Sequence, residues 1–228
     1  MKPLKQEQQD TLHNLYFKQH MTFGRDKLYK YLKSNYPDLK ISRRQIMKWL
    51  ESQELQQLFK NIKPTKDIQS SIASAPYKQI AMDLKDIQNN EYDGYNYILA
   101  MKDLFSKKAW VEPLKDKEGG TVLKGIQKLI KSMVKTPESI RSDNGAEFVY
   151  LPLQKYLKSE NITHILTTAG HPQSNGGVER FNADLKRLIN MYMTQTGNKN
   201  WVEVLPMLVD NYNNTVSRIT GKTPNDLD

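Results

Sequence analysis

Apolar positions recur along this chain with two periods, and the switch between them divides it. In the first sixty residues the spacing is helical. Leu4, Leu12, Leu15 and Tyr16 mark the buried side of a helix over 3–20, and Phe23-Gly24 breaks it. Leu28, Tyr31 and Leu32 define a second helix over 25–35, which Pro37 ends. Ser42 with Gln45 three residues on is a capping-box pair, and it opens a third helix with Ile46, Trp49 and Leu50 on its core side. Residues 60–75 are polar, with Pro64 and several serines, and read as a linker. Beyond Pro76 the pattern becomes strand-like. Three runs, 77–84, 95–104 and 107–114, are joined by short turns and so predict antiparallel neighbours. Helices over 118–134, 149–159, 177–196 and 201–215 then alternate with strands over 139–143 and 163–168. A meander followed by strand–helix alternation predicts a mixed α/β sheet of five strands with helices on its faces. The chain thus divides into a small helical unit (1–59), a linker (60–75) and a larger α/β unit (76–228).

The junction before the third of these later helices carries the candidate chemistry. His171–Asn182 reads HPQSNGGVERFN, a cluster of turn residues running into an amphipathic helix. Glu179 stands in its first turn, at the rim of the apolar stripe formed by Val178, Phe181, Leu185, Leu188, Ile189 and Tyr192. Alone, a glutamate there is most often a response to the helix dipole. Upstream, SIRSDNGAEF puts Asp143 at a strand end before an Asn-Gly turn, where Gly145 is expected to supply a positive φ, and 35 residues separate Asp143 from Glu179. Asp83 lies near the end of the apolar run YKQIAMDL, with Asp86 a rival three residues later.

The order Asp83, Asp143, Glu179, with SDNGAEF and HPQSNGGVERFN around the last two, resembles the catalytic core of retroviral-type integrases over residues 75–225. The N-terminal stretch resembles integrases of Maverick/Polinton transposons and virophages more than retroviral ones. The resemblance implies an RNase H-like core. It implies a polynucleotidyl transferase that trims the 3′ ends of an element's DNA and joins them to target DNA. Two Mg2+ or Mn2+ ions would be held by Asp83, Asp143 and Glu179, with Asp83 bridging. Two divalent ions about 4 Å apart neutralise a scissile phosphate, activate a nucleophile and stabilise a leaving oxygen, and hard oxygen donors suit magnesium. Like charges drawn together without metal repel, so a carboxylate trio is better explained by a cation than by folding.

Asn182 and Lys186 follow Glu179 by three and seven residues on one helix face, and match family positions that contact DNA. Asn175, with Gln173 and Ser174, matches loop residues near the DNA end. Family membership further implies double-stranded DNA as partner, a dimer or tetramer, and a place in the host nucleus or virus particle. A further C-terminal domain, frequent among relatives, is not expected within this sequence.

Charge sharpens this picture. Net charge is +9, and residues 1–75 hold 14 Lys and Arg against 7 Asp and Glu, so most of the surplus lies in the first third. A basic helical segment beside a nearly neutral body suggests a polyanion partner. Two short helices, a turn and a third basic helix resemble a helix-turn-helix reader, in which Arg43, Arg44 and Lys48 would meet DNA. The alternative is a helical bundle with a solvated basic face. Cysteine is absent, which removes thiolate chemistry and a His-His-Cys-Cys zinc module, so no zinc is expected. No apolar run reaches membrane-span length, and the first ten residues lack a signal-peptide core. Rival functions are a cut-and-paste transposase, an RNase H-like nuclease, or a DNA-binding protein without catalysis.

Overall fold

The computed structural model describes residues 4–53, 73–167 and 176–228. Its sheet runs β3-β2-β1-β4-β5. The strands are β1 (Ile80–Asp86), β2 (Tyr97–Asp103), β3 (Ala109–Leu114), β4 (Ser139–Ser142) and β5 (Thr163–Leu166). β1 pairs antiparallel with β2 and parallel with β4, which puts it at the centre. The first three strands are the meander that the short turns predict. The parallel pairings of β4 and β5 need crossovers, supplied by α4 (Gly119–Ser132) and α5 (Leu151–Ser159).

Strand alternation sorts the sheet into two faces. Ile80, Met82, Leu99, Met101 and Ile140 pack with Val122, Ile126 and Leu129 of α4 and with Leu153 and Leu157 of α5. The opposite face presents Ala81, Ile98 and Ala100 to two long helices, α6 (Gly176–Thr196) and α7 (Trp201–Asn213). Alanine on that face leaves room for α6 to lie close, with Val178, Phe181, Leu185 and Ile189 buried against it. α7 lies along edge strand β3. There the Asn213 amide donates to Ala109 O and its oxygen accepts from Ala109 N, both at 2.9 Å, occupying backbone groups of an exposed edge.

β1 begins later than the apolar run implies. Tyr77 takes φ +60, its N–H donates to Asp103 Oδ2 at 2.8 Å, and its carbonyl accepts from Glu138. Those bonds close a turn and keep Tyr77 out of the ladder. The strand then runs on to Asp86, so Asp83 lies in its middle, opposite Ala100, rather than near its end.

Before the sheet come α1 (Gln6–His13), which continues as one π-helical turn over Asn14–Lys18, α2 (Arg25–Asn35) and α3 (Arg43–Glu51). Ser42 and Gln45 form the expected reciprocal cap. These helices do not enclose a separate core. Leu12, Leu15, Tyr16, Leu28, Leu32, Ile46 and Leu50 belong to the same buried cluster as the inner faces of α6 and α7. Polar bonds fasten the seam, where Gln195 donates to Phe17 O at 2.6 Å and Asn211 to Gln19 O at 2.8 Å. Most of the expected linker lies outside the described residues.

Candidate active site

Three elements bring the acids to one end of the sheet. Asp83 follows Ala81 by two residues on β1, so its side chain shares the face that receives α6. Asp143 directly follows β4, the parallel neighbour of β1, and Glu179 occupies the first turn of α6. The Asn182 Nδ2 group, one turn beyond Glu179, donates to Asp83 Oδ2 at 2.8 Å. That bond ties the helix carrying one acid to the strand carrying another.

The carboxyls feel one another. Asp83 is held above the ordinary aspartate range, first by burial and further by the charge of Asp143, while N–H groups of Asn182 and Leu84 pull the other way. Glu179 is also raised, by burial and by the charges of Asp83 and Asp143. Asp143 faces solvent, and its Oδ1 accepts from Gly145 N at 3.0 Å, an Asx turn that fixes its direction. Behind it, the buried Ser142 hydroxyl donates to Asp143 O and lies 2.9 Å from His164 Nε2, and Gln154 bonds the other ring nitrogen. Burial lowers the pKa of His164.

Hard oxygen donors in mutual repulsion fit a divalent cation such as magnesium. Among the described residues, no three acidic or histidine side chains are gathered tightly enough to coordinate a single ion. Asp83, Asp143 and Glu179 are nonetheless near enough for their charges to act on one another.

Several expectations change here. Asn182 does not stand on the exposed side of α6 as a DNA contact there would require. It is 2% exposed and turned onto Asp83, because its position on α6 falls on the sheet-facing side. Gly145 has no positive φ among the glycines that do. Its lack of a side chain instead makes room for the Glu147 carboxylate, whose atoms lie 2.8–2.9 Å from where a Cβ would stand. Asp86, the rival acid, is exposed at the far end of β1. Lys186 is half-buried on α6, while Arg43, Arg44 and Lys48 are exposed on α3. Arg43 also lies 4.3 Å from the Tyr29 ring centroid and 3.8 Å from Asp26. Asn175, with Gln173, Ser174 and His171, lies outside the described residues. Sequence reasoning missed Lys102, whose Nζ donates to Gly177 O at 3.2 Å, two residues before Glu179. The signal was a lysine inside the apolar run YILAMKDL.

Residues 73–172 match the family model described as integrase core domain. A transposon-derived protein of Caenorhabditis elegans is 35% identical over 136 residues, covering 60% of this chain and 47% of that protein. The Pro-Pol polyprotein of simian foamy virus type 3 is 31% identical over 135 residues, covering 59% of this chain and 12% of the polyprotein. The chain therefore spans less than half the length of these relatives. Among solved structures, the magnesium complex of the HTLV-2 integrase catalytic core domain aligns with TM-score 0.57 at 23% identity, over 68% of this chain and 97% of that one. A chain of the simian T-cell lymphotropic virus intasome in complex with PP2A regulatory subunit B56 gamma aligns with TM-score 0.64 at 19% identity, over 89% of this chain and 73% of that one. At such identities these matches speak for the fold, the RNase H-like mixed sheet of integrase cores.

Proposed function

We propose that this chain, whose residues 73–172 match the integrase core domain model, is a DNA integrase that processes 3′ ends and transfers them to target DNA. The observation that carries the reading is the Asn182 bond to Asp83 at 2.8 Å, which ties the helix that holds Glu179 in its first turn to the strand that bears Asp83, beside the parallel strand that Asp143 follows. Asp83, Asp143 and Glu179 would hold two Mg2+ or Mn2+ ions. Bound there, the ions supply charge neutralisation at the phosphate and a more acidic nucleophile. The chain's own contribution is placement. Asn182 orients Asp83, the Asx turn aims Asp143, and the first turn of α6 presents Glu179. Duplex DNA would also meet the basic side chains Arg43, Arg44 and Lys48, and Asn175 and Lys186. A dimer or tetramer pairing two DNA ends, in the host nucleus or a virus particle, follows from the same reading. A mobile element of the Maverick/Polinton type is the source this reading prefers, on the cysteine-free N-terminal helices; transposon-derived and retroviral relatives match at similar identity.

The test is strand transfer with magnesium and oligonucleotide duplexes ending in candidate terminal repeats. Asp83→Asn, Asp143→Asn and Glu179→Gln are each expected to lose cleavage and joining while keeping or raising the unfolding midpoint. Joining that persists in Glu179→Gln would take Glu179 out of the site. Cleavage without joining of pre-trimmed ends would replace the integrase reading with a nuclease.

A further inference from the structure

Lys102 lies on β2, paired across to Ala81, on the sheet face that carries Asp83 and receives α6. It is 9% exposed. Its ammonium lies 5.7 Å from the Phe181 ring centroid and 5.4 Å from that of Tyr212, and its hydrogen bond runs to the Gly177 carbonyl. Among the described residues no carboxylate comes within ion-pairing distance of it, and Asp184 acts on it as a more distant charge. Burying an ammonium without a counter-ion is costly. A methionine would fill the same space without that cost. Fold stability alone does not account for a lysine here.

The carbonyl it holds is placed where the backbone most needs holding. α6 opens on Gly176-Gly177, two residues with the greatest conformational freedom and no side chain to anchor them. A Cβ added at Gly177 would meet nothing nearer than Leu104 Cδ2 at 3.9 Å. Val178, fully buried, is the next anchor, and Glu179 follows it. Burial lowers the ammonium pKa to about 8, so it stays protonated and able to donate at neutral pH.

We propose that Lys102 is a positioning residue: its ammonium pins the Gly177 carbonyl, sets where α6 begins, and thereby fixes Glu179 relative to Asp83. The proposal rests on the reading of Glu179 as a site residue, so its test includes a measurement independent of DNA chemistry. Backbone amide exchange would be followed across α6 in the full chain and in Lys102→Met and Lys102→Arg. The amides of Arg180 to Ala183 report the first helical turn, because they donate to the carbonyls of residues 176–179. In Lys102→Met, exchange at those amides is expected to rise severalfold while the sheet stays protected and the thermal midpoint holds or rises. Strand-transfer turnover should fall roughly tenfold with KM for DNA unchanged, as expected of a displaced catalytic group. Lys102→Arg, which keeps a donor, should recover part of both. Unchanged exchange at Arg180 to Ala183 in Lys102→Met overturns the proposal, and so does a Lys102→Met chain that fails to fold, since the ammonium would then serve folding. If exchange rises but the wild-type chain joins no DNA, the tether stands and the integrase reading falls.

Discussion

Asp83 and Asn182 form the smallest unit whose removal changes the chemistry without emptying the core. Asn182 is buried, and its Oδ1 has no hydrogen-bond partner among the described residues, so Nδ2 to Asp83 is the bond that repays burial of its amide. Asn182→Leu removes both the orphan oxygen and the donor. It should leave the unfolding free energy within about 1 kcal/mol of wild type. Asp83 would lose a hydrogen bond to its charged form, its pKa would rise further, and divalent-cation affinity would weaken in a calorimetric titration. His164 gives a second residue-scale expectation. Its folded pKa lies below the ordinary value because burial disfavours the imidazolium. The unfolded chain therefore binds the proton more readily. Stability contributed by the neutral ring is complete above the unfolded pKa of about 6.5 and is lost as pH falls through that value towards the folded one. Chemical denaturation between pH 7.5 and 5.5 should show this slope, and His164→Gln should flatten it.

At the scale of elements, the sequence was most informative where one period governed a whole segment. The helix over 25–35 has the expected bounds, and the Ser42 cap is the one that Ser-x-x-Gln spacing implies. Asp143 and Glu179 stood out because one directly follows a strand and the other stands in the first turn of a helix, within a recognisable flank, whereas Asp83 lies mid-strand. What spacing could not reveal was direction. A residue three beyond Glu179 shares its side of a helix, yet whether that side meets solvent or sheet depends on how α6 lies across β1 and β2. Asn182 fell on the sheet side for that reason. The bounds of β1 shifted because Asp103, distant in sequence, captured the Tyr77 N–H. Close packing between elements was equally hidden. Gly125 of α4 sits where a Cβ would lie 3.1 Å from methyl carbons of Leu99 and Leu114. Gly125→Val should therefore overpack the α4–sheet layer and destabilise the fold by about 1–3 kcal/mol in urea unfolding, with no direct effect on cation binding.

For the molecule as a whole, the proposed function sets stability against cation binding at the carboxylates. The pKa values of Asp83 and Glu179 are raised, so these groups favour the folded state below their ordinary pKa values, and that contribution is lost as pH rises through the raised values. At neutral pH and without metal they oppose folding. Magnesium should accordingly raise the thermal midpoint of the wild-type chain at pH 7 and do less at pH 5, where protons compete, whereas Asp83→Asn should respond weakly at both. Differential scanning fluorimetry with and without the cation checks this, and an equal response in the variant would place the ion elsewhere.

The shared core between the first three helices and α6–α7 carries one more consequence. Tyr212 of α7 is flanked by two ammonium groups, Lys27 from α2 and Lys102 from β2, each 5.4 Å from its ring. A protein whose front segment rests on its own compact core can exchange that segment freely during evolution, as beads are exchanged on a string. Here the swap would open the seam where Gln195 and Asn211 donate to Phe17 O and Gln19 O, and would take Lys27 away from the Tyr212 ring. The two parts must therefore drift together, and hybrids that join this front segment to a foreign core should be recovered from a shuffled library only when the α6–α7 surface comes with it.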